Sequence, residues 1–463
     1  MVQSSVKILF YNENADSIVA SAGRISTTKG SANEIYKKSL ERNEIENINL
    51  IQKILASGHT SVLEHVFLNL AFDNVSVFVE QFMIEFRLAS FTVKSRRYVD
   101  FGNMGFVMPE FSKYGERADG MKEIYQRHMK YLFQEYNDLL DKGIPKEDAR
   151  FVLPYSFRSN FYCTVNAREL IKIVNEMVWG RGKEYPEIVS LGKSLIEQCK
   201  KKIPFLNLHE GHNPKKIYDI SLMERKKAVD LKENEGEPVV LLNATEHPEE
   251  TICKAVMLTE GYADWQSAEV KDSDTQKAIL KSVLLNSRKR ELEQVNFTIL
   301  FQHISLAGVT HLVRHRMQSI IVPKYYNICE FDKYIVPESI VNAGMKEKYE
   351  RVFRESHKVA EQLREEGLEC SDQIYLLLSG LTVPVMTTMN ANELFTFLRL
   401  RSCNRAQWEI AHYAKALLKI LRKQYPVLFS LYGPTCYVTG KCPEGKMSCG
   451  QMKEVKASFA MDE

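Results

Sequence analysis

A chain of 463 residues is too long for one ordinary core, so two to three domains are expected. Its 62 Lys and Arg against 59 Asp and Glu leave a formal charge of +3, which offers no basic surplus for nucleic acid. No apolar run approaches the ~18 residues that a membrane helix needs, and nine cysteines, odd in number and mostly scattered, fit a reducing compartment rather than a disulfide scaffold.

The chain opens with MVQSSVKILFYN, a strand pattern without a basic-then-apolar leader, so a cytoplasmic protein is expected. Helical segments follow, and then LEHVFLNLAFDNVSVFVEQFMIEFRLAS from Leu63 to Ser90. This stretch lies without a gap over LEQVNFTILFQHISLAGVTHLVRHRMQS, from Leu292 to Ser319. Further on, LPYSFRSNFYCTVNAREL lies over LLSGLTVPVMTTMNANEL, with Asn166 on Asn390. The two openings, VKILFYNENADSIVASAGRIST and PVVLLNATEHPEETICKAVMLT, match loosely. The chain therefore reads as a tandem duplication with diverged copies.

Each copy carries an alternating strand, with Val66, Leu68, Leu70 and Phe72 in the first and Phe297, Ile299 and Phe301 in the second. A second extended stretch is expected at Thr92–Tyr98 and Ile320–Tyr326, and each copy ends in helices. In the second copy these carry Leu394, Phe397 and Leu398, then Ile410 through Leu421, and stop before Pro426. The fold class expected is α+β, each copy a mostly antiparallel sheet with packed helices. The first domain is placed at residues 1–208 and the second at 237–463, with a polar, charged linker at 209–236. The charged runs Glu110–Lys146 and Lys346–Glu369 read as helical insertions with solvated faces.

Chemistry concentrates at Arg314-His315-Arg316-Met317-Gln318-Ser319, which follows the apolar helical pattern Leu306, Val309, Leu312, Val313. Two guanidinium forks and an imidazole suit an anion or a cofactor, although the same cluster also reads as a solvated patch at a helix end. Its company decides between them. GHTSVLEH, RHRMQS, SFTVKSRRY, ARFVLP, CTVNAREL and NANELFTFLRLRSCNRAQWEI resemble the flavin-dependent thymidylate synthases, once per copy over most of the chain.

The resemblance implies that the RHR residues grip FAD and that an S-x-R-Y segment binds dUMP. It implies sites shared between subunits of a homotetramer, with NADPH and methylenetetrahydrofolate as co-substrates. Neither copy keeps the full pattern. Copy two has Arg314, His315, Arg316 and Ser319 but Lys324, Tyr325, Tyr326 and Asn327 at S-x-R-Y; copy one has Glu85 and Phe86 for Arg-His but ends in Ser95-Arg96-Arg97-Tyr98. His59 becomes Arg288, Arg150 becomes Ile374 and Arg168 becomes Asn392 in copy two, whereas Arg401 is Met177 in copy one.

Carried over residue by residue, the resemblance puts Arg314, His315, Arg316, His59, Asn166, Arg168 and Asn390 at the flavin. Helix capping explains Asn166 equally well. The nucleotide falls to Ser95, Arg97, Arg150, Arg401 and Arg314, with Arg314, Ser95 and Arg401 as the catalytic candidates. One composite site per chain is expected, in a homodimer that forms a pseudo-tetramer making dTMP. Two alternatives stand beside this. Val93 and Lys94 replace the polar, often acidic residues before the S-x-R serine, which suits another C5 modification such as hydroxymethylation; a non-catalytic nucleotide- or flavin-binding relative is the other. In the tail, Cys403, Cys436, Cys442 and Cys449 read either as a zinc or iron–sulfur site or as ordinary free thiols, because the C-x5-C-x6-C spacing lacks a C-x2-C knuckle.

Overall fold

The computed structural model describes residues 3–206, 208, 237–267, 269–270, 272–325 and 331–460. The expected linker at 209–236 lies outside them, as does Tyr326. The described residues separate into two compact units, one holding those up to 208, 331–332 and Val336–Ser379, and the other those from 237 to 325, Lys333–Ile335 and 380–460. The segment Val336–Ser379 belongs to the second copy by sequence, yet it is part of the first unit.

Each unit contains a four-stranded antiparallel sheet built to the same plan. In the first, β1 (Ser5–Tyr11), β2 (Phe67–Ser76), β3 (Ser90–Val93) and β4 (Arg158–Asn166) lie in the order β1-β2-β4-β3. In the second, β5 (Val239–Ala244), β6 (Asn296–Ser305), β7 (Ser319–Ile321) and β8 (Thr382–Asn390) repeat it as β5-β6-β8-β7. Even the irregularities are repeated. The β2–β4 register shifts between Phe72 and Val75, and the β6–β8 register between Phe301 and Ile304. A second shift falls between Ile8 and Phe10 in β1 and between Leu241 and Asn243 in β5. Two bulges at matching places fix the same bend in both sheets.

The alternating residues Val66, Leu68, Leu70 and Phe72 are fully buried, as are Phe297, Ile299 and Phe301, so the period-two pattern names the core face. The second extended stretch is shorter than expected. In the first unit β3 ends at Val93, and the backbone N–H groups of Tyr98 and Val99 turn back to the Ser95 carbonyl.

The charged insertions are not merely solvated. The helices Ala118–Asp141 and Lys346–Glu365 each bury a stripe, Met121, Tyr125, Met129, Leu132 and Tyr136 in one and Tyr349, Val352, Phe353, Ala360 and Leu363 in the other, and they pack together within the first unit. Beside them Tyr155 N–H donates to the Leu377 carbonyl at 2.7 Å, and Ser379 N–H to the Leu153 carbonyl at 2.9 Å. Pro154 faces Leu378 between these bonds. Tyr155 falls on Ser379 and Leu153 on Leu377 in the repeat, so the two bonds exchange under a local two-fold axis. This is the self-complementary contact of an isologous dimer, made within one chain. Among the described residues no helix is long and apolar enough to cross a membrane.

Candidate functional site

In the second unit the chain leaves β6 and enters the helix Leu306–Leu312. Ser305 caps it, its Oγ accepting from Gly308 N–H at 2.8 Å. Ser305 in turn donates its N–H and Oγ–H to Glu409, at 2.7 and 2.6 Å. A Cβ on Gly308 would stand 2.8 Å from Ile304 Cγ1 and 2.9 Å from Glu409 Oε1, so a larger residue there would have to shift its neighbours. The acid of the AQWEI run thus anchors the helix that ends in RHR.

All of Leu306–Leu312 is buried, and the end of the helix splits the three basic residues between two environments. Arg314 and Arg316 are exposed, whereas His315 is 5% exposed. The imidazole lies edge-on to Phe397, ring centres 5.1 Å apart. Its Nε2 is 2.9 Å from Arg401 Nε, and its Nδ1 is 3.1 Å from Glu393 Oε1. A guanidinium only donates, so Nε2 must be the lone pair and Nδ1 carries the proton toward Glu393. His315 is therefore neutral. Burial pushes its pKa below the ordinary 6.5, and the Arg401 charge adds to that against the pull of Glu393. The flavin-facing role expected for His315 meets a ring turned inward, which holds Arg401 in place. Asn390 starts the helix Ala391–Arg401 that supplies both partners, its Oδ1 accepting from Glu393 N–H at 2.8 Å.

In the first unit, Ser95 Oγ accepts from Arg97 N–H at 3.3 Å. Arg97 Nε donates to Glu147 Oε2 at 2.7 Å, and Arg150 Nε to the Glu147 carbonyl at 3.0 Å. Ser95, Arg97 and Arg150 thus gather around one turn and one acid. Arg150 is 3% exposed, while the Arg97 side chain keeps 24% of its surface open. Arg96, between them in sequence, points the other way. It is ion-paired to the fully buried Glu80, which also accepts from Ser159 Oγ at 2.5 Å, and its guanidinium sits 5.6 Å from the Phe157 ring centre.

His59 is exposed just ahead of the short 3-10 helix Thr60–His65. Asn166 caps the helix Ala167–Val178 through Glu169 N–H at 2.8 Å, and Arg168 pairs with Glu64 of that short helix. Sequence reasoning missed Glu80, Glu147, Ser159 and Glu393. Acids three residues before Arg150 and three after Asn390 were the available signals.

Among the described residues no three His, Cys, Asp or Glu side chains stand where they could hold a metal, so Cys403, Cys436, Cys442 and Cys449 form no such set. Cys436 lies buried on the helix Thr435–Thr439, whereas Cys442 and Cys449 lie outside the tail helices. Burial raises the Cys436 thiol pKa, and the neighbouring Cys403 and Cys442 raise it further, which keeps it protonated.

The family model described as thymidylate synthase complementing protein matches residues 7–205 and again 240–427. The chain belongs to the flavin-dependent thymidylate synthase family, with two copies in tandem. The flavin-dependent thymidylate synthase of Geobacter sulfurreducens is 33% identical over 232 residues, 48% of this chain and 97% of that protein. That of Clostridium tetani is 32% identical over 246 residues, again 48% of this chain and 97% of the relative. A structure of the UMP/dUMP methylase PolB from Streptomyces cacaoi, bound with 5-Br dUMP, gives a TM-score of 0.38 at 24% identity over 44% of this chain and 93% of that one.

Each copy is thus comparable in length to a whole single-copy thymidylate synthase of this family, and in each the counterpart of the other's polar cluster has been rebuilt. At the place of Arg314-His315, Glu85 is ion-paired to Arg181, whose guanidinium stacks 4.4 Å from the Phe82 ring centre and 5.0 Å from that of Phe86. Met177, at the place of Arg401, is fully buried.

Proposed function

We propose that the chain is an FAD-dependent thymidylate synthase that methylates dUMP at C5. The carbon would come from methylenetetrahydrofolate and the reducing equivalents from NADPH. The observation that carries this reading is complementary retention. Arg314, His315, Arg316 and Arg401 survive in one copy, with Glu393 on His315, and Ser95, Arg97 and Arg150 in the other, with Glu147 on Arg97. Decay without selection has no reason to sort the losses in this way.

The donors suit the groups they would meet. Arg314 and Arg316 present cationic forks that balance the diphosphate and the negative charge of reduced flavin. His59, Asn166, Arg168 and Asn390 would complete the flavin side. Bound FAD would carry hydride from NADPH. Ser95, Arg97 and Arg150 would hold the nucleotide as multidentate donors. Arg314 and Arg401 would polarise a pyrimidine carbonyl and draw electron density along C5–C6, so that no protein nucleophile is needed. In the net reaction C5 gains a bond to the methylene carbon and loses its proton, tetrahydrofolate departs, and one hydride completes the methyl group.

Two chains would form a pseudo-tetramer with about one FAD and one nucleotide per chain, because the opposite pairing would set Glu85 near a phosphate. Flavin absorbance on purification, followed by product analysis with dUMP, methylenetetrahydrofolate and NADPH, tests the reading. A colourless protein would defeat it, and a 5-hydroxymethyl product would replace methylation by another C5 chemistry. Titration of dUMP into FAD-loaded protein should saturate near one equivalent per chain; two equal equivalents would show that the second set of residues is alive.

A further inference from the structure

The repeat allows each buried side chain to be read against its counterpart. Glu80 falls on Val309, Arg96 on Tyr325 and Ser159 on Val383. These three counterparts are 0%, 5% and 3% exposed. Ser159 faces Val75 just past the β2 bulge, and Val383 faces Ile304 just past the β6 bulge, so the positions are structurally the same. At these matching positions one copy buries an ion pair and a hydroxyl, the other two valines and a tyrosine.

The fold does not need the ionic version. Withdrawing two charges from water is expensive, and apolar replacements of similar volume are commonly as stable or more so. The ionic cluster must be explained by what stands beside it. Arg96 is flanked by Ser95 and Arg97, and its guanidinium is tied to Glu80 in the buried helix Val77–Ile84. With Arg96 held inward, Arg97 is turned to the Glu147 side, where Arg150 also binds. The cluster is present in the copy that keeps Ser95, Arg97 and Arg150, and absent from the copy that has Lys324 and Ile374 in place of Ser95 and Arg150.

We infer that Glu80, Arg96 and Ser159 are positioning residues for nucleotide binding: they clamp the Ser95–Tyr98 turn from beneath, so that Ser95 and Arg97 face one anion together. This rests on the reading that those donors bind dUMP. An ion pair suits the task better than apolar packing, because a directed bond fixes the rotation of the turn whereas side-chain contact tolerates sliding.

The second copy supplies the test. The full-length variant Glu80→Val, Arg96→Tyr, Ser159→Val gives the first copy the trio that the fold already accommodates. Flavin content and Tm should stay at or above wild type, while the calorimetric Kd and the KM for dUMP rise about 10- to 100-fold. The double variant Glu80→Gln, Arg96→Gln removes both charges while keeping polar side chains and should move Kd in the same direction; it decides the matter should the triple variant fail to fold. Wild-type affinity for dUMP in a folded variant would overturn the inference, as would a Tm loss with unchanged Kd, the mark of a merely structural pair. A wild-type protein that retains FAD but binds no dUMP would instead defeat the nucleotide reading on which the inference stands.

Discussion

The two copies agree where the backbone is shaped and differ in the polar side chains they bury. Strand order, bulges, the Ser76 and Ser305 caps and the Asn166 and Asn390 caps recur at matching positions. Ser76 even gives its N–H and Oγ–H to Glu187 as Ser305 does to Glu409. The buried polar clusters do not recur. The first copy keeps Glu80–Arg96–Ser159 where the second has Val309, Tyr325 and Val383. The second keeps His315–Glu393–Arg401 where the first has Phe86, Glu169 and Met177 at the matching sequence positions. A tied-up charge in the core contributes little to stability, so it can be lost when its task is lost, whereas a cap or a bulge cannot. On the proposed function, the polar cores mark the half of the site that each copy would supply.

The sharpest way to break this comparison is to strike the same position in both copies. Arg314→Ala should lower flavin-linked turnover by about 10²- to 10³-fold and deplete bound FAD, whereas Glu85→Ala should leave both near wild type. Steady-state rates and the flavin-to-protein absorbance ratio report this directly. Equal damage from the two changes would mean that the copies are not specialised.

His315→Phe, which installs the first copy's own residue, should be accepted by the fold but remove the acceptor that holds Arg401. A fall of about 10-fold in turnover is expected. The pH profile separates this from a packing defect. The folded-state pKa of His315 lies below its ordinary 6.5, so the neutral ring and its bond from Arg401 are fully kept above about pH 6.5 and are lost as pH falls toward the folded value. Flavin retention in the wild type should be flat above that pH and decline in acid, and the His315→Phe variant should lose that part of the decline. An identical acid limb in both proteins would remove His315 from the account.

Much of this was legible beforehand because it repeats or alternates. The duplication, the core strands and the RHR cluster each announce themselves by period or by recurrence. The buried acids do not. Glu80 sits inside VFVEQFMI, where one charge in an apolar run gives no sign of its partner sixteen residues on. Glu393 reads as a helix-start acid, and its contact with His315 is non-local. Lys346–Glu369 hid its buried stripe among charges, so neither its packing against Ala118–Asp141 nor the place of Val336–Ser379 in the first unit could be read from local pattern. The spacing of the tail cysteines leaves metal site and free thiols equally open, because it does not fix where the thiols lie.

That helix pair gives a smaller effect. His128 lies between Tyr131 and the Glu355 carboxylate of the partner helix, with Nε2 buried and without a hydrogen bond. Burial pushes its pKa down to about 4, against a slight upward pull from Glu355. A depressed histidine contributes stability that is present above about pH 6.5 and lost as pH falls toward 4, at most about 3 kcal/mol over that span. His128→Phe should flatten this part of the acid unfolding curve and raise stability at neutral pH by about 1 kcal/mol, since an unpaired buried nitrogen is removed. Denaturant midpoints at pH 7 and pH 5 check both statements, and an unchanged difference between them would show that the ring is not buried in solution.

The mildest changes sharpen the comparison most cleanly, because they strike a device the copies share. Asn166 and Asn390 each accept a backbone N–H at 2.8 Å at the start of equivalent helices. Removing either cap by substitution with Ala should lower stability by about 1 kcal/mol, and by the same amount in both copies. Any role at the flavin must appear on top of that equal loss. The proposed site puts Asn166 beside Arg168, which the second copy has replaced by Asn392, and it puts Asn390 on the helix that carries Glu393 and Arg401. If both residues also touch cofactor, FAD affinity should fall in both variants by more than the fold loses. If they are caps alone, FAD affinity at a temperature well below Tm should be that of wild type in each. A drop confined to Asn166→Ala would tie the flavin to the first copy's Asn-x-Arg element and release Asn390 from the site.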